Sequence, residues 1–321
     1  MTIEDMVRTP IIKSPHKRIV SFPIDDRSEW RKLREGFVNS TEVAALFGLS
    51  PYQTIFQLWN QKKGNLERDF KEDQRIRFGK LFEPIIAREA VFSFGKNRIR
   101  HSQQFNYYMC DRDRRIGASF DWECVLDGSP TLLEIKCVDY FEFKNKWRKD
   151  DNGEYVPPPH IELQCQQQMM ITGVEQLYLA VLVGGNDLKL IRREPNADLR
   201  GKIARGVSDF WESVDGDEPP EVTEADADAV IAMCQKVSPE TLAPRGSVKE
   251  ENVLDYNAVS KEISDLNKKK KYLKAIILQE MGDNELALDL KWKVSASTTK
   301  ETVVEKYIRK AFRNFRVTVK K

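Results

Sequence analysis

The sequence contains few histidines and cysteines, the residues that bind zinc ions and iron–sulfur clusters or form disulfide bonds. Its 321 residues include three histidines and five cysteines, and the cysteines are scattered, odd in number and without a CxxC pair. Structural zinc sites and iron–sulfur clusters need closely arranged thiolate or imidazole ligands. We therefore expect free thiols in a reducing compartment, and we expect any metal site to be built from carboxylates.

A long hydrophobic run is also missing. No stretch approaches the roughly 20 apolar residues that cross a membrane, and the N-terminal residues lack the apolar core of a signal peptide. Hydrophobic residues make up 40% of the chain, which is enough for a sizeable core in one or two domains. These properties predict a soluble, cytoplasmic protein with no membrane partner.

Charge is distributed unevenly, although 52 Lys and Arg nearly balance 50 Asp and Glu. Residues 214–244 carry eight acidic side chains against one lysine, whereas residues 245–321 carry eighteen basic and eleven acidic side chains. Such asymmetry is typical of nucleic-acid contact, but a solvated linker and an exposed lysine-rich helix would give the same pattern. Composition predicts four segments: an N-terminal arm (1–24), a core (25–214), an acidic linker (215–250) and a basic helical extension (251–321).

Local signals predict both helices and strands in the core. The capping residues Asn39, Ser40 and Thr41 indicate a helix start, and a long helix is expected over 72–94, with Leu81 and Ile85 among its buried residues. A further helix is expected over 159–172.

Between these helices, residues rich in β-branched and aromatic side chains predict strands at 104–110, 115–126 and 131–140. Asp127-Gly128 indicates a hairpin between the last two, with a loop lengthened by Ser129 and Pro130. The order of elements predicts an α/β fold with a mixed central sheet flanked by helices, followed by a C-terminal helical or α+β extension. In that extension, a helix over 301–312 and a strand over 315–319 are expected.

Asp121 and the run Glu134-Ile135-Lys136 carry the strongest chemical signal. Strand alternation puts Glu134 and Lys136 on one face and Ile135 and Cys137 on the other, toward the core. With Asp121 on the adjacent strand, two carboxylates and the backbone carbonyl of Ile135 could bind Mg²⁺, while Lys136 holds or helps deprotonate a water. The pattern favours metal-assisted phosphodiester hydrolysis. The alternative is an ordinary row of Glu and Lys side chains on the solvent-exposed face of a hairpin. The apolar run LLEIKCV argues against it, because a strand this apolar is expected to be buried on at least one face, and buried charges are paired or bind metals.

Two helices carry further polar residues. Glu83 lies on the long helix, where a lone Glu is usually solvated. Gln164 and Gln168 share a face of the helix over 159–172, and for Gln167 and Gln168 we expect an ordinary polar stripe.

Five motifs in order give the sequence a family resemblance over roughly residues 28–195. They are WRKLREGFVNSTEVAALFGLSPYQTIFQLWNQKKG, GKLFEP, ASFDW, LEIKC and IELQCQQQMMITG. Together they resemble the lambda-exonuclease/YqaJ-type viral recombinase branch of the PD-(D/E)xK nucleases, which implies a restriction-endonuclease-like core. One departure is Ser-Phe-Asp-Trp at 119–122, where the family usually has Ser-Pro-Asp-Gly.

The resemblance implies roles for individual residues. Asp121, Glu134 and Glu83 would be metal ligands, Lys136 would orient the attacking water, and Gln164 would be the helical glutamine near the site. Arg34 would grip the 5′-phosphate of a DNA end, assisted by the hydroxyl of Thr41, with Ser40 as the neighbouring candidate.

The implied activity is a Mg²⁺-dependent 5′→3′ exonuclease on linear double-stranded DNA, with Mn²⁺ as a substitute ion. It would leave 3′ single-stranded tails for a single-strand annealing protein in phage-type recombination, and the resemblance implies a homotrimeric ring around DNA. A related nuclease with endonuclease activity or another polarity, and a catalytically weak DNA-binding or scaffold protein, are the alternatives. The lysine-rich C-terminal helix could bind phosphates, or pair with a partner helix through Val259, Ile263, Leu266 and Ile277.

Overall fold

A computed structural model describes residues 10–24, 27–67, 73–95, 97–234 and 241–297. The chain divides into two compact units, residues 1–233 and 234–321. This division falls inside the segment predicted as the acidic linker, 215–250. The helix expected over 301–312 and the strand expected over 315–319 lie outside the described residues.

The first unit alternates strands and helices along the chain. Its helices are α1 (Arg27–Glu35), a 3₁₀ helix (Val43–Phe47), α2 (Ile55–Lys62), α3 (Gln74–Phe94), α4 (Tyr140–Lys146), α5 (Pro159–Thr172), α6 (Ala197–Asp215), a 3₁₀ helix (Glu224–Asp226) and α7 (Ala227–Met233). Its strands are β1 (Ile19–Pro23), β2 (Val38–Asn39), β3 (Ile99–Gln104), β4 (Tyr107–Asp111), β5 (Ile116–Ser119), β6 (Trp122–Leu126), β7 (Ser129–Val138), β8 (Arg148–Lys149), β9 (Tyr155–Val156), β10 (Leu177–Val183) and β11 (Asp187–Arg193).

These strands form two principal sheets, with the orders β1-β4-β5-β2 and β11-β10-β7-β6-β3. Each sheet is mixed, because β2 runs parallel to β5 and β7 runs parallel to β10 while the other pairs are antiparallel. The predicted mixed α/β class is confirmed, although the strands expected in one central sheet are divided between two mixed sheets. The pairing of β1 with β4 also shows that the segment predicted as an arm, 1–24, contributes a strand to the first sheet.

The helices cover these sheets with apolar side chains. α5 and α6 contribute to the larger hydrophobic cluster, which also holds residues of β4, β5 and β10. α3 packs Ile86, Ala87 and Ala90 into a second cluster with β6 and β7. The positions of Leu81 and Ile85 were predicted wrongly, since both side chains are more than half exposed. Hydrophobic periodicity identifies an apolar face of a helix but not how much of that face another element covers.

Three local predictions about strands need correction. Residues 115–126 form two strands in different sheets, β5 and β6, rather than one strand. Ser129 and Pro130 belong to β7 and pair with Leu126 and Val125, so the hairpin turn consists of Asp127 and Gly128 alone. Both turn residues have positive φ, which is the geometry of the tight hairpin turns that Asp-Gly favours. Cys137 is exposed rather than in the core, because neither hydrophobic cluster extends past Ile135 to it along this face of β7.

In its described residues, the second unit has a long helix, α8 (Glu250–Met281), followed by the strand pair β12 (Leu286–Leu288) and β13 (Lys293–Ser295). α8 ends at Gly282, whose backbone N–H donates to the carbonyl of Leu278 at 3.1 Å. Across the described parts of both units, no helix combines the length and the apolar composition of a membrane span.

Candidate active site

Asp121 lies where the chain passes from one sheet to the other. β5 ends at Ser119 in the first sheet and β6 begins at Trp122 in the second, so Phe120 and Asp121 form the crossing. Phe120 is buried, whereas Asp121 lines a cleft. The carbonyl of Asp121 accepts a hydrogen bond from the backbone N–H of Phe105 at 3.2 Å, which ties this crossing to the one between β3 and β4.

The carboxylate of Asp121 accepts a backbone hydrogen bond from β7 at a position that β6 does not reach. β6 pairs with β7 only over Ser129–Leu133, so the backbone beyond Leu133 has no partner from β6. The N–H of Ile135 donates instead to Asp121 Oδ2 at 2.8 Å. The structure thus brings Asp121 directly against the Glu134–Lys136 segment.

Glu134 is 3% exposed and is held by three side-chain donors. Lys136 Nζ and Gln164 Nε2 each donate to Glu134 Oε1 at 2.5 Å. Gln168 Nε2 donates to Glu134 Oε2 at 2.7 Å. Because both carboxylate oxygens are engaged, the side chain of Glu134 has a fixed orientation.

The polar stripe predicted for Gln167 and Gln168 is wrong, because both side chains are buried. Gln167 Nε2 donates to the carbonyls of Val38 and Gly117 at 2.9 and 3.0 Å, and Gln168 also donates to the carbonyl of Ser119 at 3.2 Å. The sequence did contain a signal, since apolar residues occur all round α5 and leave the helix without a wet face.

The electrostatics of the cleft favour a bound cation. Burial raises the pKa of Asp121 well above its usual value, and the charge of Glu134 raises it further. Glu83 lines the same cleft, and burial followed by repulsion from Glu134 raises its pKa too. Burial would lower the pKa of Lys136, but the carboxylates of Glu134 and Asp121 outweigh it and raise that pKa.

The donor set fits a hard divalent cation such as Mg²⁺. In the part of the chain that the structure describes, no three Asp, Glu, His or Cys side chains form a ready-made metal cage. Mg²⁺ is usually held by only one or two carboxylates, with water and substrate phosphate completing the octahedron. Asp121, Glu134 and the cleft-lining Ile135 offer oxygen atoms for this, and Glu83 offers a further carboxylate.

The cleft lining also includes a cation and hydroxyl groups, and we call this part of the lining, Trp30, Arg34, Ser40 and Thr41, the arginine wall. Arg34, in the last turn of α1, donates from Nη2 to Thr41 Oγ1 at 3.0 Å. Its guanidinium stacks on the ring of Trp30 at 4.5 Å, and Trp30 Nε1 donates to Ser119 Oγ at 2.9 Å. Sequence reasoning missed Trp30, although its i, i+4 spacing from Arg34 places both on one helix face.

Asn39, Ser40 and Thr41 do not cap a helix, contrary to prediction. Asn39 lies in β2, and the backbone N–H of Ser40 donates to the carbonyl of Gly117 at 3.0 Å. The 3₁₀ helix that follows is five residues long and has the acidic Glu42 at its N-cap. Any anion bound at this wall would therefore rely on Arg34 and the hydroxyl groups rather than on a helix dipole.

Glu42, a residue that sequence reasoning missed, holds this wall together. Its Oε2 accepts hydrogen bonds from Lys62 Nζ and Asn39 Nδ2, both at 2.8 Å. Burial alone would raise the pKa of Glu42, but the charges of Lys62 and Arg34 and the donated hydrogen bonds lower it to about 2. Lys62 Nζ also donates to the carbonyls of Arg34 and Phe37 at 3.0 and 2.7 Å, so the pair supports the backbone that carries Arg34.

All of the site residues expected from the sequence line this single cleft. They are Arg34, Ser40, Thr41, Glu83, Asp121, Glu134, Ile135, Lys136 and Gln164.

The fold and the cleft define a mixed α/β protein in which carboxylates, a lysine and an arginine line one cleft. Residues 29–175 of this chain match the YqaJ-like viral recombinase domain, which confirms the family resemblance expected from the motifs. The chain is also 26% identical over 271 residues to the uncharacterized protein YqaJ of Bacillus subtilis (strain 168), covering 81% of this chain and 79% of that protein. The domain match supports a nuclease role for this chain.

Two exonucleases are among the solved structures that resemble this chain, and both are less similar to it in sequence than YqaJ is. An alkaline exonuclease (LHK-Exo) from Laribacter hongkongensis is 20% identical with a TM-score of 0.44, covering 60% of this chain and 94% of its own. A phage-related exonuclease from Haemophilus somnus 129PT is 10% identical with a TM-score of 0.34, covering 56% of this chain and 94% of its own.

Proposed function

We propose that this chain is a Mg²⁺-dependent 5′→3′ exonuclease that acts on linear double-stranded DNA in the cytoplasm and leaves 3′ single-stranded tails. The observation that carries the proposal is that one cleft is lined both by Asp121, Glu134 and Lys136 and by Arg34 and Thr41. In this proposal a phosphodiester would bind beside the carboxylates and a terminal phosphate beside the arginine.

The carboxylates and the lysine of the cleft suit the hydrolysis step of this reaction. Asp121 and Glu134 would hold Mg²⁺ with the carbonyl of Ile135, and Glu83 would be a further acidic ligand. The bound ion would polarise the scissile phosphate and lower the pKa of a water. Lys136 would orient the attacking water through its ammonium donors, and Gln164 would keep Glu134 in position. Mn²⁺ would substitute because it also accepts oxygen ligands.

Arg34 would select the end of the DNA strand. A guanidinium binds phosphate through two parallel hydrogen bonds, and the stacking of Arg34 on Trp30 limits the orientations of this group. Thr41, with Ser40 beside it, would add a hydroxyl donor to the same phosphate. A 5′-phosphate bound there would fix the first phosphodiester in the cleft and thereby set the polarity.

The 3′ single-stranded tail left by such an enzyme suggests which protein would act after it. A 3′ single-stranded tail is a substrate for a single-strand annealing protein, which would act next in phage-type recombination. A homotrimeric ring around the duplex would keep the enzyme on one DNA end through many cycles.

End-labelled linear duplexes with and without a 5′-phosphate test the proposal, in Mg²⁺, in Mn²⁺ and in EDTA. We expect metal-dependent release of nucleotides from the 5′ end, a preference for the 5′-phosphate and no cutting of closed circles. Lys136→Ala should lower the rate at least about 100-fold, as is typical when a group that acts on the attacking water is lost.

Arg34→Ala should remove the preference for the 5′-phosphate, while Arg31→Ala, at an exposed position of the same helix, should not. Release from the 3′ end, or cutting of closed circles, would contradict the polarity or the exonuclease assignment respectively. Full activity of Lys136→Ala would contradict the assignment of the site.

A further inference from the structure

Helix α8 in the second unit carries an apolar seam that faces solvent. Of its 32 residues, Met281 is buried, and the large apolar side chains along the middle of the helix are well exposed. A helix of this length owes most of its stability in water to packing of an apolar face. An exposed seam on such a helix therefore points to a packing partner.

The seam repeats every 3.5 residues. Its apolar residues are between 39% and 57% exposed: Tyr256, Val259, Ile263, Leu266, Leu273 and Ile277. They are three or four positions apart, except that Leu266 and Leu273 are seven positions apart, with Lys270 between them. In heptad terms Ile263 and Ile277 occupy a positions and Leu266 and Leu273 occupy d positions, with the single charged residue Lys270 at an a position. A repeat of 3.5 residues is the pattern of a left-handed coiled coil.

We propose that α8 pairs with α8 of a second copy of this chain as an antiparallel two-stranded coiled coil. In this arrangement Ile263 packs against Leu266 of the second copy and Tyr256 against Leu273. Lys270 then packs its aliphatic stem against Val259 of the second copy. Each of these layers occurs twice, so the seam is self-complementary.

The charges beside the seam select the antiparallel direction. The g positions face each other in an antiparallel pair, which sets Glu262 of each helix against Lys269 of the other. In a parallel pair Lys269 would face Lys274 of the second copy, and the two Lys270 side chains would meet in the core. The antiparallel arrangement therefore has two attractive Glu262–Lys269 pairs, whereas the parallel arrangement brings lysines together. This difference favours the antiparallel arrangement.

A charge swap in the full-length protein tests both the partner and the direction. Glu262→Lys and Lys269→Glu each create two like-charge pairs, and each should weaken self-association on the order of tenfold in a sedimentation dilution series. The double variant E262K/K269E restores opposite charges across the pair, and its association should return to the wild-type value. A double variant as weak as the single variants would overturn the antiparallel pairing.

Substitution of the seam tests whether it is the interface. Ile263→Asp with Leu266→Asp should lower the particle mass, because the α8 pairs that join copies of the chain are lost. Ser264→Asp with Lys268→Asp, on the opposite face, should leave the mass unchanged, and circular dichroism should show that both variants remain helical. An unchanged mass in the seam variant would overturn the proposal, whether the seam is then covered by another segment of this chain, a different protein or nucleic acid.

Discussion

Replacing Glu42 with glutamine should destabilise the protein at neutral pH, because it leaves Lys62 charged and buried. The Lys62 side chain is only 5% exposed and keeps two carbonyl acceptors, those of Arg34 and Phe37, in the variant. Glutamine has nearly the shape of glutamate, so packing is conserved and the lost charge is the main change. Removal of one partner from a buried ion pair costs about 3–5 kcal/mol.

The pKa of Glu42 gives a second, independent magnitude. Its value in the folded protein is about 2, against an ordinary value of 4.5. Since folding lowers this pKa, the ionised carboxylate stabilises the protein above about pH 4.5, and the stabilisation is lost as the pH falls from there toward 2. At 1.36 kcal/mol per pKa unit, the contribution at pH 7 is about 3 kcal/mol, which agrees with the ion-pair figure.

Urea unfolding of the wild type and of Glu42→Gln between pH 7 and pH 2.5 measures this contribution. We expect the difference in unfolding free energy to be about 3 kcal/mol at pH 7 and to shrink as the pH falls below 4.5. Glu29→Gln, at an exposed position of α1, is the matched control and should lie within about 0.5 kcal/mol of the wild type at pH 7. A difference for Glu42→Gln that is small at pH 7, or that stays constant with pH, would refute the reasoning.

Two further predictions concern residues around the cleft. Gln168→Leu removes the donor to Glu134 Oε2, so it should lower nuclease activity on the order of 10–100-fold. A metal titration should also show that the variant needs a higher Mg²⁺ concentration for half-maximal activity. An unchanged Mg²⁺ requirement would mean that Gln168 does not orient Glu134. Gly117→Ala would bring a Cβ to within 1.8 Å of the Tyr108 hydroxyl, so it should lower the melting temperature by several degrees. Adding Tyr108→Phe to Gly117→Ala should restore little of that loss, because the ring carbon Cζ still lies 2.5 Å from the new Cβ and the hydrogen bond from the Tyr108 hydroxyl to Asn39 Oδ1 is gone. A melting temperature restored to the wild-type value would contradict this account.

The sequence predicted the elements whose signals are local. The long helix expected over 72–94 is observed as Gln74–Phe94, and the helix over 159–172 ends at Gly173, which has the left-handed conformation of a helix C-cap. Caps and hydrophobic periodicity specify such helices within a few residues, so no distant contact is needed to recognise them.

Elements that depend on distant contacts were not predictable in the same way. Residues 115–126 have the composition of a single strand, and only the neighbours of β5 and β6 decide that the chain changes sheets at Phe120 and Asp121. Gln168 likewise needs Glu134, thirty-four positions away along the chain, before its burial makes physical sense. The alternation of residues along a strand placed Glu134 and Lys136 on one face, but it could not show that Asp121 supplies the missing hydrogen bond to Ile135.

The crossing between the sheets also explains how the chain accommodates Phe120 and Trp122, where the family usually has Pro and Gly. The ring of Phe120 is buried with Phe105 at a centroid distance of 4.6 Å, so its bulk belongs to the hydrophobic core. The indole of Trp122 packs on the second hydrophobic cluster and donates to Ser102 Oγ at 2.6 Å. Since neither side chain lines the cleft, both large residues flank Asp121 without filling the space beside its carboxylate. The unusual motif thus changes the packing behind Asp121 and leaves the oxygen donors accessible from the cleft.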